Sequence, residues 1–125
     1  LGYRECITAT NPCGEEPLPP YGACNLGSIN LTAFVREPFS PRARLDHEAI
    51  AALVPVAVRL LDNVITASHF PLPAQAATER GTRRLGLGLT GLGDALILLG
   101  LPYNSAAGRA EARRATSPPS LPRVP

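Results

Sequence analysis

The chain has 125 residues, room for one domain at most, with twelve basic and ten acidic side chains and a net charge of +2. So neutral a balance gives no electrostatic footprint for nucleic acid or for an anionic membrane, and an ordinary solvated surface is expected. Three cysteines without a CxxC pair exclude a dense disulfide framework, and His47 and His69 have no Cys at finger-like spacing, so no metal site is expected.

There is no methionine and no N-terminal targeting pattern. The apolar stretches are interrupted by Arg59, Asp62 and Asp94 and are expected to fall short of a membrane span. A soluble, cytoplasmic protein with reduced thiols is the expectation.

Residues 1–9 read as an extended lead-in, with Tyr3, Cys6, Ile7 and Thr8 as strand formers. Residues 10–22 read as a loop, stiffened by Pro12, Pro17, Pro19 and Pro20. Residues 23–35 fit a short return segment, helical or extended. Residues 46–68 give the clearest helix. Ile50, Leu53, Val54, Ala57, Val58, Leu61, Val64 and Ile65 follow the 3.6-residue period and predict one buried stripe. Asp46 is placed as its N-cap, with Leu45 and Ile50 as a hydrophobic staple. Pro55 lies off the stripe and predicts a kink, and Pro71 and Pro73 end the element.

Residues 82–91 alternate Leu85, Leu87 and Leu89 with Gly86, Gly88 and Thr90. This is a period-2 strand with one bare face, where another backbone or a ligand can approach closely. Residues 92–99 predict a short helix stopped by Gly100 and Pro102. The order of strand, loop, helix, strand, helix is an α/β alternation. From residue 109 the chain is dense in Pro and Ser and reads as a disordered tail to residue 125.

The densest chemistry lies in Thr10-Asn11-Pro12-Cys13-Gly14-Glu15. Asn11, Cys13 and Glu15 alternate, so in an extended backbone an amide, a thiol and a carboxylate would line one wall of a pocket. A second thiol, Cys24, follows within Tyr21-Gly22-Ala23-Cys24-Asn25-Leu26-Gly27-Ser28-Ile29-Asn30-Leu31. Taken one at a time, each has a plainer reading. Cys13 could be a small buried hydrophobe, Asn11 the start of an Asn-Pro turn, and Glu15 a solvated loop residue like its neighbour Glu16.

Together the two stretches closely resemble the active-site finger loop of the ribonucleotide reductase large chain, most of all its adenosylcobalamin-dependent class. Arg36-Glu37-Pro38-Phe39, Arg59 to Ile65, Arg83 to Leu89 and Leu101-Pro102-Tyr103 extend the resemblance over residues 3–108. It implies a fragment, residues 1–108, of that family's ten-stranded α/β barrel. The tail beyond departs from the family, as a truncation or a shifted reading frame would explain. It assigns the radical-carrying thiol to Cys13, the general base on the ribose 3′ hydroxyl to Glu15, and orientation of the ribose hydroxyls to Asn11. Cys24 resembles one of two reducing thiols, whose partner cysteine lies outside this sequence. Cys6 matches no functional position and reads as a structural strand cysteine.

Adenosylcobalamin is the implied cofactor, with its site elsewhere. A ribonucleotide substrate, a thioredoxin-like or other dithiol reductant and a homodimeric full-length enzyme are the implied partners. Two rivals stand beside this reading. One is a metal-radical reductase served by a separate subunit. The other is a non-catalytic nucleotide-binding module built on Gly86-Leu87-Gly88-Leu89-Thr90-Gly91, which fits GxGxxG but lacks the hydrophobic strand that should precede it. Arg83 and Arg84 could meet phosphates or form an ordinary solvated pair. Alone, the fragment is expected to be inactive and to aggregate through open strand edges.

Overall fold

The computed structural model describes residues 5–117. Their contacts divide into two units, one of residues up to Gly27 with Ala57–Leu87, the other of Ser28–Val56 with residues from Gly88 onward. The fold is mixed α/β. Among the described residues the strands form three two-stranded pairs, without a closed barrel.

In the first unit, β1 (Ala9–Thr10) pairs antiparallel with β2 (Pro17–Leu18), Ala9 opposite Leu18 and Thr10 opposite Pro17. Thr8 N–H extends the pairing to the Leu18 carbonyl at 3.0 Å. Residues 5–8, expected to be extended, form no strand of their own. β3 (Asn25–Asn30) resolves the open choice for the return segment as extended backbone, and it pairs with β6 (Leu85–Thr90), each of these two strands having residues in both units. At the start of this pair Asn25 N–H donates to the Arg84 carbonyl at 3.2 Å. The bare glycine face of β6 is filled: a Cβ on Gly86 would stand 2.5 Å from Leu26 Cδ2.

α2 (Pro73–Thr82) was not anticipated. Proline at the first helical position needs no N–H partner there, and Gln75 Oε1 accepts from Leu72 N–H at 3.3 Å. The helix ends on Arg83 in the left-handed region, φ 45°. That conformation is costly for a residue with a Cβ. It is held by Arg83 Nε on Asp62 Oδ1 at 2.7 Å and by Arg83 Nη2 on Thr66 Oγ1 at 2.9 Å. The Arg83 guanidinium in turn holds the Asp62 carboxyl below the usual carboxylate range.

In the second unit, a 3₁₀ turn (Leu31–Phe34) is capped by Asn30, whose side-chain oxygen accepts from Thr32 N–H at 3.1 Å. β4 (Val35–Arg36) pairs antiparallel with β5 (Arg44–Leu45). α1 (His47–Ala67) then begins as anticipated, with Ala49 N–H donating to Asp46 Oδ1 at 3.0 Å. That bond, and after it Arg36, hold the Asp46 carboxyl below its ordinary value. Leu45 and Ile50 are both buried in one cluster with Leu31 and Ala95, as a staple requires. Leu31 is fully buried, a contribution of about 1.5–3 kcal/mol for a side chain of this kind.

α3 (Leu92–Leu98) starts on Gly91 at φ 72°, where a Cβ would stand 2.5 Å from Asn30 Oδ1. α4 (Ala106–Thr116) corrects the expectation of a disordered tail from residue 109. Ser105 caps it, accepting from Gly108 N–H at 2.9 Å, and His47 Nε2 meets Glu111 Oε1 at 2.7 Å. The alanine-rich run before the prolines supplied the helix propensity. The rest of that expectation, residues 118–125, lies outside the described residues.

α1 has residues in both units. Its stripe is narrower than the periodicity suggested: Ile50 and Ile65 are buried and Val54, Ala57 and Leu61 half-buried, whereas Leu53, Val58 and Val64 are exposed. By length and composition this 21-residue helix is apolar enough to cross a membrane, contrary to expectation. Arg59 and Asp62 are too few charges to interrupt the run. A core helix of a soluble protein meets the same criterion.

Candidate active site

Cys13 sits in a tight turn, not on an extended wall. Gly14 N–H donates to the Asn11 carbonyl at 3.0 Å, closing a four-residue turn with Pro12 and Cys13 at its centre. Proline presets the dihedral of the first central position, and Gly14 takes φ 81° at no steric cost. These local preferences outweigh extension, so the strict alternation of Asn11, Cys13 and Glu15 is not realised. A second layer closes the loop. Asn11 N–H donates to the Glu16 carbonyl at 3.2 Å, and Glu16 N–H donates back to Asn11 Oδ1 at 3.0 Å. Asn11 is half-buried and its side-chain oxygen is committed to the loop. Cys13 and Glu15 are exposed, and the Cys13 thiol is free.

Cys24 lies just before β3, half-buried and also free. Its Sγ is 3.5 Å from the Asn25 carbonyl oxygen. A Cβ on Gly86 would stand 3.9 Å from the same sulfur, at ordinary van der Waals contact. The backbone around Cys24 is pinned by distant residues. Ala23 N–H donates to the Glu79 carboxylate, and Asn25 Nδ2 donates to the Leu61 carbonyl at 2.8 Å. Glu79 is only 1% exposed.

Burial pushes the Cys24 thiol above its ordinary value, and Glu16 pushes it further. Arg84 opposes the shift, while Glu79 and Glu15 add to it. A raised thiol value disfavours the thiolate, the form that acts as a nucleophile.

The family model described as ribonucleotide reductase, barrel domain, matches residues 3–117. The chain belongs to the ribonucleotide reductase family. It is 48% identical over 102 residues to a vitamin B12-dependent ribonucleoside-diphosphate reductase of Mycobacterium tuberculosis, covering 82% of this chain and 14% of the relative. A protein of the same name from Thermoplasma acidophilum is 46% identical over 99 residues, 79% of this chain and 12% of the relative. A ribonucleoside-diphosphate reductase subunit alpha of Chlamydia pneumoniae is 38% identical over 82 residues, 66% of this chain and 7% of the relative. The chain thus spans roughly a seventh of the length of the first two relatives or less. The family match reaches residue 117, past the boundary expected at 108.

Within this reductase segment three expectations change. Glu16 is not a solvated loop residue: its carboxylate is 3.6 Å from Arg84 Nη1. Arg83 and Arg84 are neither a solvated pair nor open to phosphates. Arg83 is engaged with Asp62, and Arg84 pairs with Glu5 and Glu16 and donates to the Pro17 carbonyl at 3.1 Å. The three glycines of the GxGxxG run lie along β6 and at the cap of a seven-residue helix, not in the turn a dinucleotide fingerprint requires. Cys6 is exposed rather than a buried strand cysteine. Sequence reasoning missed Glu79 as the acceptor behind Cys24. Its partner is remote in sequence, and an acidic residue in an alanine-rich helix gives no local sign of burial.

Among the described residues no group of three or more His, Cys, Asp or Glu side chains could hold a metal ion.

Proposed function

We propose that this chain is part of an adenosylcobalamin-dependent ribonucleotide reductase, and that it supplies the finger loop of a ten-stranded α/β barrel in which ribonucleotides become deoxyribonucleotides. The observation that carries the reading is the Cys13 thiol, free and exposed on a braced turn, two residues before a carboxylate. The vitamin B12 dependence in the names of the more similar relatives supports this class over the metal-radical class, which remains the second reading through the Chlamydia pneumoniae relative. In the full enzyme the cofactor would supply the radical from residues outside this segment.

The chain's own residues then have distinct tasks. The Cys13 sulfur takes the 3′ hydrogen of the bound ribose and later returns it. Glu15 accepts the proton of the 3′ hydroxyl while a reducing thiol protonates the 2′ hydroxyl, which leaves as water, and Glu15 later returns its proton to the 3′ oxygen. Asn11 orients the ribose hydroxyls through its amide nitrogen, its oxygen being committed to Glu16 N–H. Cys24 and a cysteine outside this chain together give two electrons and two protons and end as a disulfide, which an external dithiol reduces. A cytoplasmic, homodimeric enzyme fits this chemistry.

The test is made in a full-length reductase chain carrying this segment. Cys13→Ser is expected to abolish deoxynucleotide formation with the fold retained by circular dichroism, and retained turnover would remove Cys13 from the mechanism. Activity that depends on added adenosylcobalamin separates the two reductase classes. The 125-residue chain alone is expected to be inactive and to self-associate through the exposed Val56, Leu60 and Val64 of α1. Replacing Val56 and Leu60 by Glu should raise its solubility, as read by light scattering.

A further inference from the structure

We propose that Arg84 is a positioning residue for both thiols, binding the base of the Cys13 turn and the start of the Cys24 strand to one point. This inference rests on the reductase reading and goes beyond it. The Arg84 side chain donates to the Pro17 carbonyl at 3.1 Å, approaches the Glu16 carboxylate at 3.6 Å and pairs with Glu5. Glu16 and Pro17 are the residues that close the Cys13 loop, Glu16 against Asn11 and Pro17 opposite Thr10. The Arg84 backbone carbonyl meanwhile accepts from Asn25 N–H, the residue after Cys24, at 3.2 Å. A single residue thus fixes one thiol segment through its guanidinium and the other through its main chain.

The site is built for holding rather than for ligand binding. The Arg84 side chain is 15% exposed, and two carboxylates already compensate its charge, so an incoming phosphate would meet Glu5 and Glu16. A planar fork with several donors can serve the Pro17 carbonyl and two carboxylates together, which a lysine ammonium cannot do in the same geometry. The charged groups that act on the Cys24 thiol are Glu16, Arg84, Glu79 and Glu15, with Arg84 opposing the three carboxylates.

The experiment compares Arg84→Lys and Arg84→Gln in a full-length reductase chain carrying this segment, with three readouts. Both variants should speed amide exchange at Glu16 about ten-fold or more, because both lose the fork. Iodoacetamide labelling of Cys24, followed by mass spectrometry across neutral to alkaline pH, should give an inflection that lies higher in the Gln variant than in the Lys variant. Only the Lys variant keeps a cation beside the thiol. In turnover, kcat should fall on the order of ten- to hundred-fold in both variants with KM little changed, as misalignment of reacting groups produces.

Unchanged exchange at Glu16, equal or reversed Cys24 inflections, or an undiminished kcat in either variant would overturn the proposal. Should both variants fail to fold, Glu16→Gln serves instead. It weakens the 3.6 Å contact by which Arg84 holds the loop, so amide exchange at residue 16 should rise, and unchanged exchange overturns the proposal. Exchange and labelling need no turnover, so they judge Arg84 even if Cys13→Ser were to retain activity and defeat the reductase reading.

Discussion

The two thiol segments are held by opposite means. The Cys13 turn is closed by bonds between near neighbours: Gly14 to Asn11, Asn11 to Glu16, and Glu16 back to Asn11. Its sulfur is left exposed. The Cys24 segment is held by residues remote in sequence: Glu79 on Ala23, Leu61 on Asn25 Nδ2, and Arg84 on Asn25 N–H. Its sulfur is half-buried, and burial pushes the thiol above its ordinary value. The difference fits the division of labour proposed for them. A thiol that must meet a bound sugar as a radical carrier belongs on a stiff, open turn, whereas one that delivers hydrogen is better kept neutral and partly out of water.

The sharpest contrast should come from removing each sulfur in the full-length enzyme. Cys13→Ser is expected to eliminate both product and exchange of the substrate 3′ hydrogen. Cys24→Ser should eliminate product while 3′ hydrogen exchange, read with isotopically labelled substrate, survives. Loss of exchange in both variants would erase the distinction. Next in size, Glu15→Gln should lower kcat by about 10²–10⁴-fold, the usual contribution of a positioned general base. An effect confined to KM would reassign Glu15 to binding.

Smaller effects probe how each segment is held. Glu79→Leu should destabilise by about 1–2 kcal/mol in denaturant titrations, since the bond from Ala23 N–H to a charged acceptor is lost, and Glu79→Gln should be milder because an acceptor remains. Equal losses in the two variants would show that the carboxylate acts through something other than that bond. Gly14→Ala should cost about 1–2 kcal/mol from its left-handed backbone alone, because no heavy atom lies within 4 Å of the added methyl position. A larger loss would mean that the turn is coupled to packing the exposed loop does not display.

Acidification offers an independent check outside the two segments. The Asp46 carboxyl is held below its ordinary value, so its capping of α1 is present above the unfolded-state value and disappears as pH falls through the lower folded-state value. The Asp46→Asn protein, which keeps a capping oxygen without titrating, should show a weaker loss of helix over that acid range by circular dichroism.

Much of the fold was legible where the determinants are local. The Asp46 cap, the Leu45–Ile50 staple, the β6 alternation and the stop at Gly100 all follow from residues a few positions apart. The family was legible because two motifs carry chemistry at fixed spacing. Other features were misjudged for identifiable reasons. The Pro12–Gly14 turn overrode the extended pattern assumed for Asn11, Cys13 and Glu15. Pro71 and Pro73 predict only a stop, although Pro73 also opens α2. The prolines of the tail predict disorder, although the Ser105 cap and the alanines before them favour a helix.

The amino-acid order alone fixed the reactive groups and the turn that displays Cys13, because proline presets its own φ and glycine accepts the left-handed region without outside help. Which distant side chains surround Cys24 was settled by folding. Burial of Glu79 and the several bonds of Arg84 join positions more than fifty residues apart in sequence, and no local propensity encodes a contact made only when the chain closes on itself.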